Sequence, residues 1–222
     1  HGVFPMADAR DDPNAYWVEP KRRAILPLDQ FHLSQSLAKV IRQDRFRVTS
    51  DTAFAQVIQK CAEATADRDA TWINSDIEDA FLTLHAMGQA HSVECWLDDE
   101  LVGGLYGLAM GRAYFGESMF SRATDASKVE LAWLVARIKV GGFQLLDCQF
   151  MTDHLASLGA IEITQTKYLH LLDAALDRED QVSTVASPSV SSASPSSASG
   201  SGAAFGAGAA RGDWGALDDF LS

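Results

Sequence analysis

The chain has 222 residues, 47% of them hydrophobic, and a formal net charge of −12. No apolar stretch approaches the roughly 20 residues that a membrane-spanning helix needs, so the composition predicts a soluble protein. The excess of negative charge disfavours indiscriminate nucleic-acid binding, because phosphates are neutralised by local positive charge.

Residues 1–27 are expected to be extended chain and turns, because four prolines interrupt any periodicity there. A helix is predicted from Leu28 to Gln43, and a second helix should begin near Ser50 or Asp51. The chain begins at His1 without a methionine, which we interpret as a trimmed N-terminus.

A third helix is predicted from Ser75 to about Gly88, with Glu78 completing a capping box. Two strand-like runs follow, and the three acidic residues between them predict a hairpin. The two runs are residues 91–97 and 101–110, and a further strand is expected at residues 113–115.

Beyond the hairpin, Asp125 is predicted to cap a long helix that Gly141 and Gly142 end. A strand is expected at residues 143–150, followed by a short helix and a final helix at about residues 166–178. Helices followed by a hairpin-rich sheet with a crossover helix indicate a mixed domain of the α+β or the α/β class, of which we expect α+β.

The C-terminal part of the chain has a different composition. Residues 181–210 are dominated by Ser, Ala, Gly and Pro, which is typical of a flexible linker. In the closing segment, residues 211–222, aromatic and leucine side chains lie among aspartates. Such a segment is either a disordered end or a short motif that docks on a partner or on its own domain.

The three cysteines, Cys61, Cys95 and Cys148, are an odd number without paired spacing. This pattern favours reduced thiols in a cytoplasmic protein over disulfides or a metal knot. The six histidines lack ligand spacing, and no nucleotide-binding glycine motif is present. We therefore expect neither a metal nor a bound cofactor.

Positive charge is concentrated between residues 20 and 47, where seven basic and two acidic residues give a net charge of +5. By itself this distribution indicates a solvated helix face more readily than a surface that binds phosphates. The basic residues are Lys21, Arg22, Arg23, Lys39, Arg42, Arg45 and Arg47.

Asp147 and Gln149 are expected to share one face of a strand, because alternate side chains of an extended chain point to the same side. Cys148 should then pack into the layer behind them, as a small buried hydrophobe rather than a nucleophile. Taken alone, two polar residues on a strand indicate a sheet edge or a buried hydrogen-bond network more often than an active site.

Two acidic segments, residues 116–122 (GESMFSR) and 146–149 (LDCQ), belong to a longer ordered set of motifs. The other members are residues 4–6 (FPM), 71–73 (TWI), 91–94 (HSVE), 101–107 (LVGGLYG) and 153–160 (DHLASLGA). In this order, over roughly residues 4–172, the chain resembles the leucyl/phenylalanyl-tRNA–protein transferases.

The resemblance implies an acetyltransferase-like (GNAT-like) mixed-sheet domain at residues 69–180, behind a small N-terminal domain at residues 1–68, with residues 181–222 as a tail. The implied activity is that of a cytoplasmic aminoacyltransferase without a metal or cofactor. Its partners would be aminoacyl-tRNA and proteins with an N-terminal Arg or Lys, and no membrane. It would transfer Leu or Phe, with Met as a further candidate, by aminolysis of the ester, which marks the acceptor for degradation.

The resemblance further implies that Asp147, Gln149 and Glu117 are the catalytic residues. A neutral amide is a very weak base, so we expect Gln149 to position the α-amine of the acceptor while Asp147 fixes its orientation. The proton would leave through the ribose hydroxyl or water. Glu117, together with Asp147, would supply the negative charge that recognises an N-terminal Arg or Lys.

Binding residues are assigned from matching positions, although core packing or a solvated surface explains each of them as well. An apolar aminoacyl pocket is expected from Leu105, Tyr114, Met119, Phe120, Leu134 and Ile138. Stacking of the terminal adenosine is expected on Trp72, Phe81 and Trp17. The tRNA backbone is expected to contact Lys21, Arg22, Arg23, Arg42, Arg45 and Arg47.

Three departures from the family pattern accompany this resemblance. Phe81 stands where many members have Tyr, and Thr152 stands where Asn is common. The basic residue that usually follows the segment ending at Ala160 is missing.

Two other functions remain open at this point. An acetyl-CoA-dependent acetyltransferase would need a glycine-rich turn that opens a helix, whereas residues 103–107 lie in a strand pattern. A non-catalytic tRNA-binding adaptor would bind charged and uncharged tRNA alike.

Overall fold

The computed structural model describes residues 2–64 and 71–176. The predicted linker and acidic-aromatic end, residues 181–222, lie outside the described residues. Most of the segment that should separate residues 1–68 from residues 69–180 lies outside them as well.

The N-terminal segment forms short strands and not only turns. β1 (Phe4–Met6) and β2 (Tyr16–Val18) pair antiparallel in a small sheet of their own. β3 (Arg22–Ile25) joins the main sheet, although its charged start gave no strand signal.

The helix predicted from Leu28 to Gln43 is interrupted near its start. A short 3-10 helix at Leu28–Gln30 precedes α1 (Gln35–Arg42). α1 begins at this point because the Ser34 hydroxyl accepts a hydrogen bond of 3.2 Å from the Leu37 N–H and so caps the helix.

The second helix begins later than predicted, because a strand occupies the residues before it. β4 (Arg47–Ser50) pairs with the main sheet, and α2 (Phe54–Ala62) follows. Asp51 is not a cap: its backbone is left-handed (φ 58°), and its carboxylate accepts a hydrogen bond from the Ser92 N–H instead.

α3 (Ser75–Ala86) lies where the third helix is predicted, but its cap is one residue earlier. The Asn74 side chain accepts the hydrogen bond from the Ile77 N–H at 2.9 Å. The predicted capping box at Ser75 is therefore wrong, while the helix itself is confirmed.

The predicted hairpin is confirmed as β5 (Ala90–Leu97) and β6 (Glu100–Met110). Asp98 and Asp99 form its turn with positive φ angles of 49° and 63°, a conformation that Asp tolerates better than most residues. β7 (Ala113–Ser121) is three times as long as the predicted strand.

The remaining elements alternate between helix and strand up to the last described residue. The long helix and its end at Gly141 are confirmed, and β9 is an additional strand. The bounds are α4 (Ala126–Val140), β8 (Leu145–Gln149), α5 (Asp153–Ser157), β9 (Ile161–Thr164) and α6 (Gln165–Leu176).

The main sheet contains seven strands in the order β4-β5-β6-β7-β8-β3-β9. β7 and β8 pair parallel, with α4 as the crossover, and the other neighbouring strands of this sheet pair antiparallel. The protein is thus an α+β molecule built on a mixed sheet, which is one of the two classes that its order of elements predicts.

Segments from the first 50 residues lie at both ends of this sheet. β4 forms one edge, whereas β3 lies between β8 and β9 near the other edge. With strands about 4.8 Å apart, β3 and β4 are separated by about 24 Å across the sheet. Residues on the two sides of the expected domain boundary therefore contribute to one sheet.

Side chains alternate between the two covered faces of the sheet. Leu105 and Leu146 pack with α1 and α4, whereas their neighbours Tyr106 and Leu145 pack with α2, α3 and α6 on the opposite face. We call these the α4 face and the α6 face.

Glu130 is a buried carboxyl within the apolar α4 face. Its side chain is fully enclosed beside Gly103, and neither carboxyl oxygen has a hydrogen-bond partner among the described residues. Burial raises the pKa of Glu130 well above its usual range, because the low-dielectric surroundings favour the neutral form of the carboxyl. An uncompensated polar group of this kind destabilises the fold.

Glu130→Met should therefore raise the free energy of unfolding by about 1–3 kcal/mol, because it removes a buried polar group without creating a large cavity. The measurement is urea unfolding at pH 7. Glu130→Gln is the matched control, since it keeps the shape and the unpaired polar atoms, and it should not be stabilised. A Met variant less stable than the wild type would contradict the expectation.

Candidate active site

β7 and β8 separate at the point where the acidic motifs lie. Their parallel pairing ends at Phe115 and Asp147. Beyond it, β7 continues against β6, while Gln149 at the end of β8 pairs with Ala24 of β3. Glu117 and Gln149 thus follow the last paired residues of two parting strands.

A β-bulge places Glu117. Ser118 pairs with Tyr106 and Gly116 with Gly107, so Glu117 is the extra residue of β7. Gly107 permits the bulge, because a Cβ atom there would lie 2.2 Å from the Phe115 carbonyl oxygen. Bulges interrupt the regular alternation of a strand and redirect side chains, often beside active sites.

A second irregularity lies in β8. Asp147 pairs with Ile25 and Gln149 with Ala24, which leaves Cys148 as the extra residue. Gln149 also has a positive φ of 62°. Regular alternation therefore does not extend through residue 149, and the two polar side chains have different partners.

Asp147 is completely buried and its carboxylate is saturated with donors. Arg23 binds it through Nε at 2.9 Å and Nη2 at 2.6 Å, and the Tyr168 hydroxyl donates at 2.7 Å. The Gln149 backbone N–H donates to Oδ1 at 2.8 Å. Asp147 therefore holds the Gln149 backbone in its unusual conformation rather than facing a substrate.

Arg23 is a buried structural residue, which corrects its predicted contact with the tRNA backbone. Only 2% of Arg23 is exposed, and its guanidinium lies between the rings of Phe4 and Tyr168, 4.8 and 4.6 Å from their centroids. It also donates to the Gly2 carbonyl oxygen at 2.6 Å. Sequence reasoning assigned Arg23 to a surface because its neighbours are basic.

Tyr168 is a site residue that the sequence analysis missed. It lies on α6, and its hydroxyl donates to Asp147 while its ring covers Arg23. A tyrosine in an amphipathic helix has the same pattern as any core residue, so nothing in the sequence distinguished it. Burial, followed by the charge of Asp147, raises the pKa of Tyr168, which keeps its hydroxyl a donor.

The Gln149 side chain joins the two motifs. Its amide Nε2 donates to Glu117 Oε2 at 2.8 Å, so Glu117 is bound to the amide nitrogen and not to the amide carbonyl oxygen. Gln149 is 7% exposed and Glu117 is half-buried, so the pair lies at the boundary between the core and the surface.

Glu117 is the titratable group of this site with a pKa near neutrality. Desolvation raises the pKa of Glu117 to about 7, although the hydrogen bond from Gln149 lowers it and the charge of Asp147 adds to the rise. A carboxyl with such a pKa exchanges protons readily at neutral pH.

Cys148 packs against the α4 face, behind Asp147, as its position predicts. Desolvation and the charge of Asp147 raise the pKa of Cys148 to about 12. The thiol is therefore protonated and a poor nucleophile, which agrees with a site without a covalent cysteine intermediate.

The predicted aminoacyl pocket residues do not form one open pocket. Five of them lie on the α4 face, whereas Phe120 packs on the α6 face. Leu105, Tyr114, Leu134 and Ile138 are at most 4% exposed and serve as core residues. Met119 is the partly exposed member, so it is the one best placed to meet a ligand.

The predicted stacking residues differ in exposure. Trp17 is 69% exposed in β2, and Trp72 is half-buried against the α2 and α3 cluster. Phe81 is only 5% exposed and contacts the Tyr106 ring edge-on at 5.2 Å. Adenosine stacking on Phe81 is therefore not supported, while Trp17 and Trp72 present ring surface.

The remaining basic residues divide into two groups at opposite ends of the sheet. Lys21 and Arg22 are exposed near β9, and Arg22 pairs with Glu162. The α1–β4 basic group, which consists of Lys39, Arg42, Arg45 and Arg47, is exposed at the β4 edge. The contiguous basic stretch of the sequence is therefore two separate surfaces.

No helix within residues 2–64 and 71–176 is long and apolar enough to cross a membrane. Over the same residues, no group of three or more His, Cys, Asp or Glu side chains is arranged to hold a metal ion. The site described above is thus made of an ion pair, an amide and a carboxyl.

Comparison with known proteins identifies the family. A family profile described as leucyl/phenylalanyl-tRNA protein transferase matches residues 25–173. Proteins called leucyl/phenylalanyl-tRNA–protein transferase from Zymomonas mobilis and Rhizorhabdus wittichii are 64% and 63% identical over 175 residues, or 79% of this chain. The matches cover 65% and 71% of those relatives.

Among solved structures, L-PGS from Bacillus licheniformis superposes with a TM-score of 0.47 at 9% identity, covering 70% of this chain and 65% of the other. The fold and site are those of an α+β protein with an acidic motif on each of two parting strands. The chain belongs to the leucyl/phenylalanyl-tRNA–protein transferase family. It spans about two thirds of the length of the relatives that it matches.

Arg23→Met should destabilise the protein by about 3–5 kcal/mol, because it leaves the Asp147 carboxylate buried without its cation. The measurement is urea unfolding at pH 7. The double variant Arg23→Met/Asp147→Leu should recover part of this loss, since both charges are then removed. Equal stability of wild type and Arg23→Met would show that the ion pair does not hold the site.

Proposed function

We propose that this protein transfers Leu or Phe, with Met as a further candidate donor, from aminoacyl-tRNA to the N-terminal Arg or Lys of an acceptor protein. The reaction is aminolysis of an ester that is already activated, so it needs no covalent enzyme intermediate. Membership of the family supports this activity. The observation that carries it is the hydrogen bond between Gln149 and Glu117 across the two parting strands.

An aminolysis site has to hold an amine against an ester carbonyl and accept a proton. Gln149 is suited to the first task, because its amide nitrogen is bound by Glu117 and its carbonyl oxygen is left to accept a hydrogen bond from an amine. Its backbone is fixed by Asp147, which Arg23 and Tyr168 hold in turn. The amide is therefore preorganised.

Asp147 does not recognise the acceptor in this proposal. Its exposure is 0% and its oxygens accept hydrogen bonds from four donors, so no guanidinium or ammonium can reach it. Glu117 is the carboxylate of the site that remains to meet the α-amine of the acceptor. This separates the role of Asp147, which is positioning, from those of Gln149 and Glu117.

On the donor side, we propose that Met119 borders the aminoacyl side chain and that Trp17 or Trp72 meets the terminal adenosine. Met119 is two residues from Glu117 on β7 and is partly exposed, and a flexible thioether suits both Leu and Phe. The backbone hydrogen bond from Ala7 to the Trp72 carbonyl oxygen, at 3.0 Å, ties the β1–β2 sheet to Trp72.

The parting of β7 and β8, two parallel strands joined by the crossover helix α4, supports an acetyltransferase-like (GNAT-like) fold, which we propose for the main sheet. This sheet includes β3 and β4 from the first 68 residues, so the fold does not begin at residue 69. An acetyl-CoA-dependent reaction is less well supported. Gly103, Gly104 and Gly107 lie inside β6, and the first two approach Glu130 and Val57 closely. Gly103 and Gly104 serve the packing of helices on the sheet, Gly107 permits the bulge of β7, and none of the three forms a turn that opens a helix.

We place the reaction in the cytoplasm, where aminoacyl-tRNA is available and buried thiols such as Cys61 and Cys95 stay reduced.

The first test is transfer of labelled Leu from Leu-tRNA to a peptide that begins with Arg. Gln149→Ala should lower the rate about 100-fold, because the amine is no longer oriented. Gln144→Ala, an exposed glutamine that precedes β8, is the matched control and should retain full activity. No transfer by the wild-type protein would reject the proposed function.

The second test concerns the tRNA surface. Replacing Arg42, Arg45 and Arg47 by Gln should weaken binding of Leu-tRNA and reduce the slope of log K against log salt by about 2, since each phosphate contact contributes somewhat less than 1. Lys60→Gln, on α2 and so on the other face, should leave the slope unchanged. Equal slopes for the wild type, the triple variant and Lys60→Gln would show that tRNA binds to another surface.

A further inference from the structure

Glu117 differs from the other charged groups of the site in its surroundings. Arg23 and Asp147 neutralise each other at 2.6 Å in the core. Glu117 is half-buried on its bulge, and among the described residues its hydrogen bond comes from the neutral amide of Gln149. It is thus a carboxyl beside the amine-orienting group, without a cation bound to it.

We propose that Glu117 is the proton acceptor of the transfer reaction, taking a proton from the attacking amine and returning it to the ribose oxygen. This inference rests on the proposed function and assigns a step within it. Asp147 cannot take the proton, because its oxygens are occupied and buried. Gln149 cannot take it either, because a neutral amide is too weak a base.

The Gln149 amide and the Glu117 carboxyl are close enough to contact the same amine. The Gln149 amide nitrogen lies 2.8 Å from Glu117 Oε2, so an amine bound to the Gln149 carbonyl oxygen lies on the adjacent side of the same amide. The hydrogen bond from Gln149 is accepted by Oε2 of Glu117, so the other carboxylate oxygen is the one to which we assign the proton. The bulge, which needs Gly107, is what brings Glu117 to this position.

The acceptor ammonium first loses one proton to water, and the lone pair of the neutral amine forms the C–N bond at the ester carbonyl carbon. The second proton passes from nitrogen to the Glu117 carboxylate. As the intermediate collapses, the C–O bond to the ribose breaks, and Glu117 delivers that proton to the leaving oxygen. Glu117 ends as a carboxylate, and one proton is released overall.

The titration of Glu117 suits this role. Desolvation raises the pKa of Glu117 to about 7, close to the range of about 7.7–8.0 for an α-amine. A base and an amine of similar pKa exchange protons without a large barrier. Because the carboxylate is the active form, the contribution of Glu117 is present above pH 7 and is lost as the pH falls through that value.

The test compares wild type with Glu117→Gln, which keeps an oxygen to accept the hydrogen bond from Gln149. The kcat of the variant should fall at least 100-fold while the KM for the acceptor peptide stays within about threefold. Below pH 7, log kcat/KM should fall with a slope of 2 in the wild type, from Glu117 and the amine, and with a slope of 1 in the variant. Circular dichroism and urea unfolding check that the variant is folded.

The competing role for Glu117 is recognition of the acceptor's guanidinium. Peptides that begin with Arg and with the neutral analogue citrulline separate the two. If Glu117 is the base, Glu117→Gln lowers kcat for both peptides and leaves the ratio of their kcat/KM values unchanged. If Glu117→Gln instead retains kcat and no longer prefers the Arg peptide over the citrulline peptide, the proposal is overturned.

Two controls complete the test. Glu117→Asp should recover part of kcat, because it restores a carboxylate one methylene farther away. Glu63→Gln, an exposed carboxylate paired with Arg122, should behave as the wild type. Transfer by the wild type with full activity of Glu117→Gln would overturn only the proton-acceptor role, whereas no transfer by the wild type would overturn the proposed function itself. A slope of 1 in log kcat/KM against pH, for both the wild type and Glu117→Gln, would also overturn the proton-acceptor role.

Discussion

The ion pair between Arg23 and Asp147 connects the parts of the molecule on which the site depends. Arg23 belongs to β3, from the first strands of the chain, and Asp147 to β8, more than a hundred residues later. Tyr168 of α6 and the Gly2 carbonyl oxygen complete the set of contacts. Removing one member of a buried pair leaves an uncompensated charge, so these segments are held together as a unit.

The ion pair affects the site through the backbone of Gln149. The saturated Asp147 carboxylate binds the Gln149 N–H, and this holds a left-handed residue at the end of β8. A strained residue persists only where its surroundings determine it. Here the surroundings are a buried salt bridge and a tyrosine hydroxyl, and the result is an amide aimed at Glu117.

Part of the site could be predicted from local sequence and part could not. Alternation correctly placed Cys148 behind Asp147, because Leu145 and Leu146 already alternate between the two faces and Cys148 packs on the α4 face. It did not extend to Gln149 and Glu117, since both lie at bulges that depend on pairing with β3 and β6. The nearest local signal was Gly107, whose lack of a side chain permits the bulge in its partner strand.

The sequence by itself determined the long elements and the family. The hairpin of β5 and β6, the helix α4 and its Gly-Gly end follow from periodicity and turn residues, which act between neighbours in the chain. Only the tertiary structure decided that Arg23 is buried while Arg22 is exposed, that the basic stretch forms two surfaces, and that Tyr168 belongs to the site. These outcomes depend on which distant strands and helices pack together, and no residue pattern within a short window contains that information.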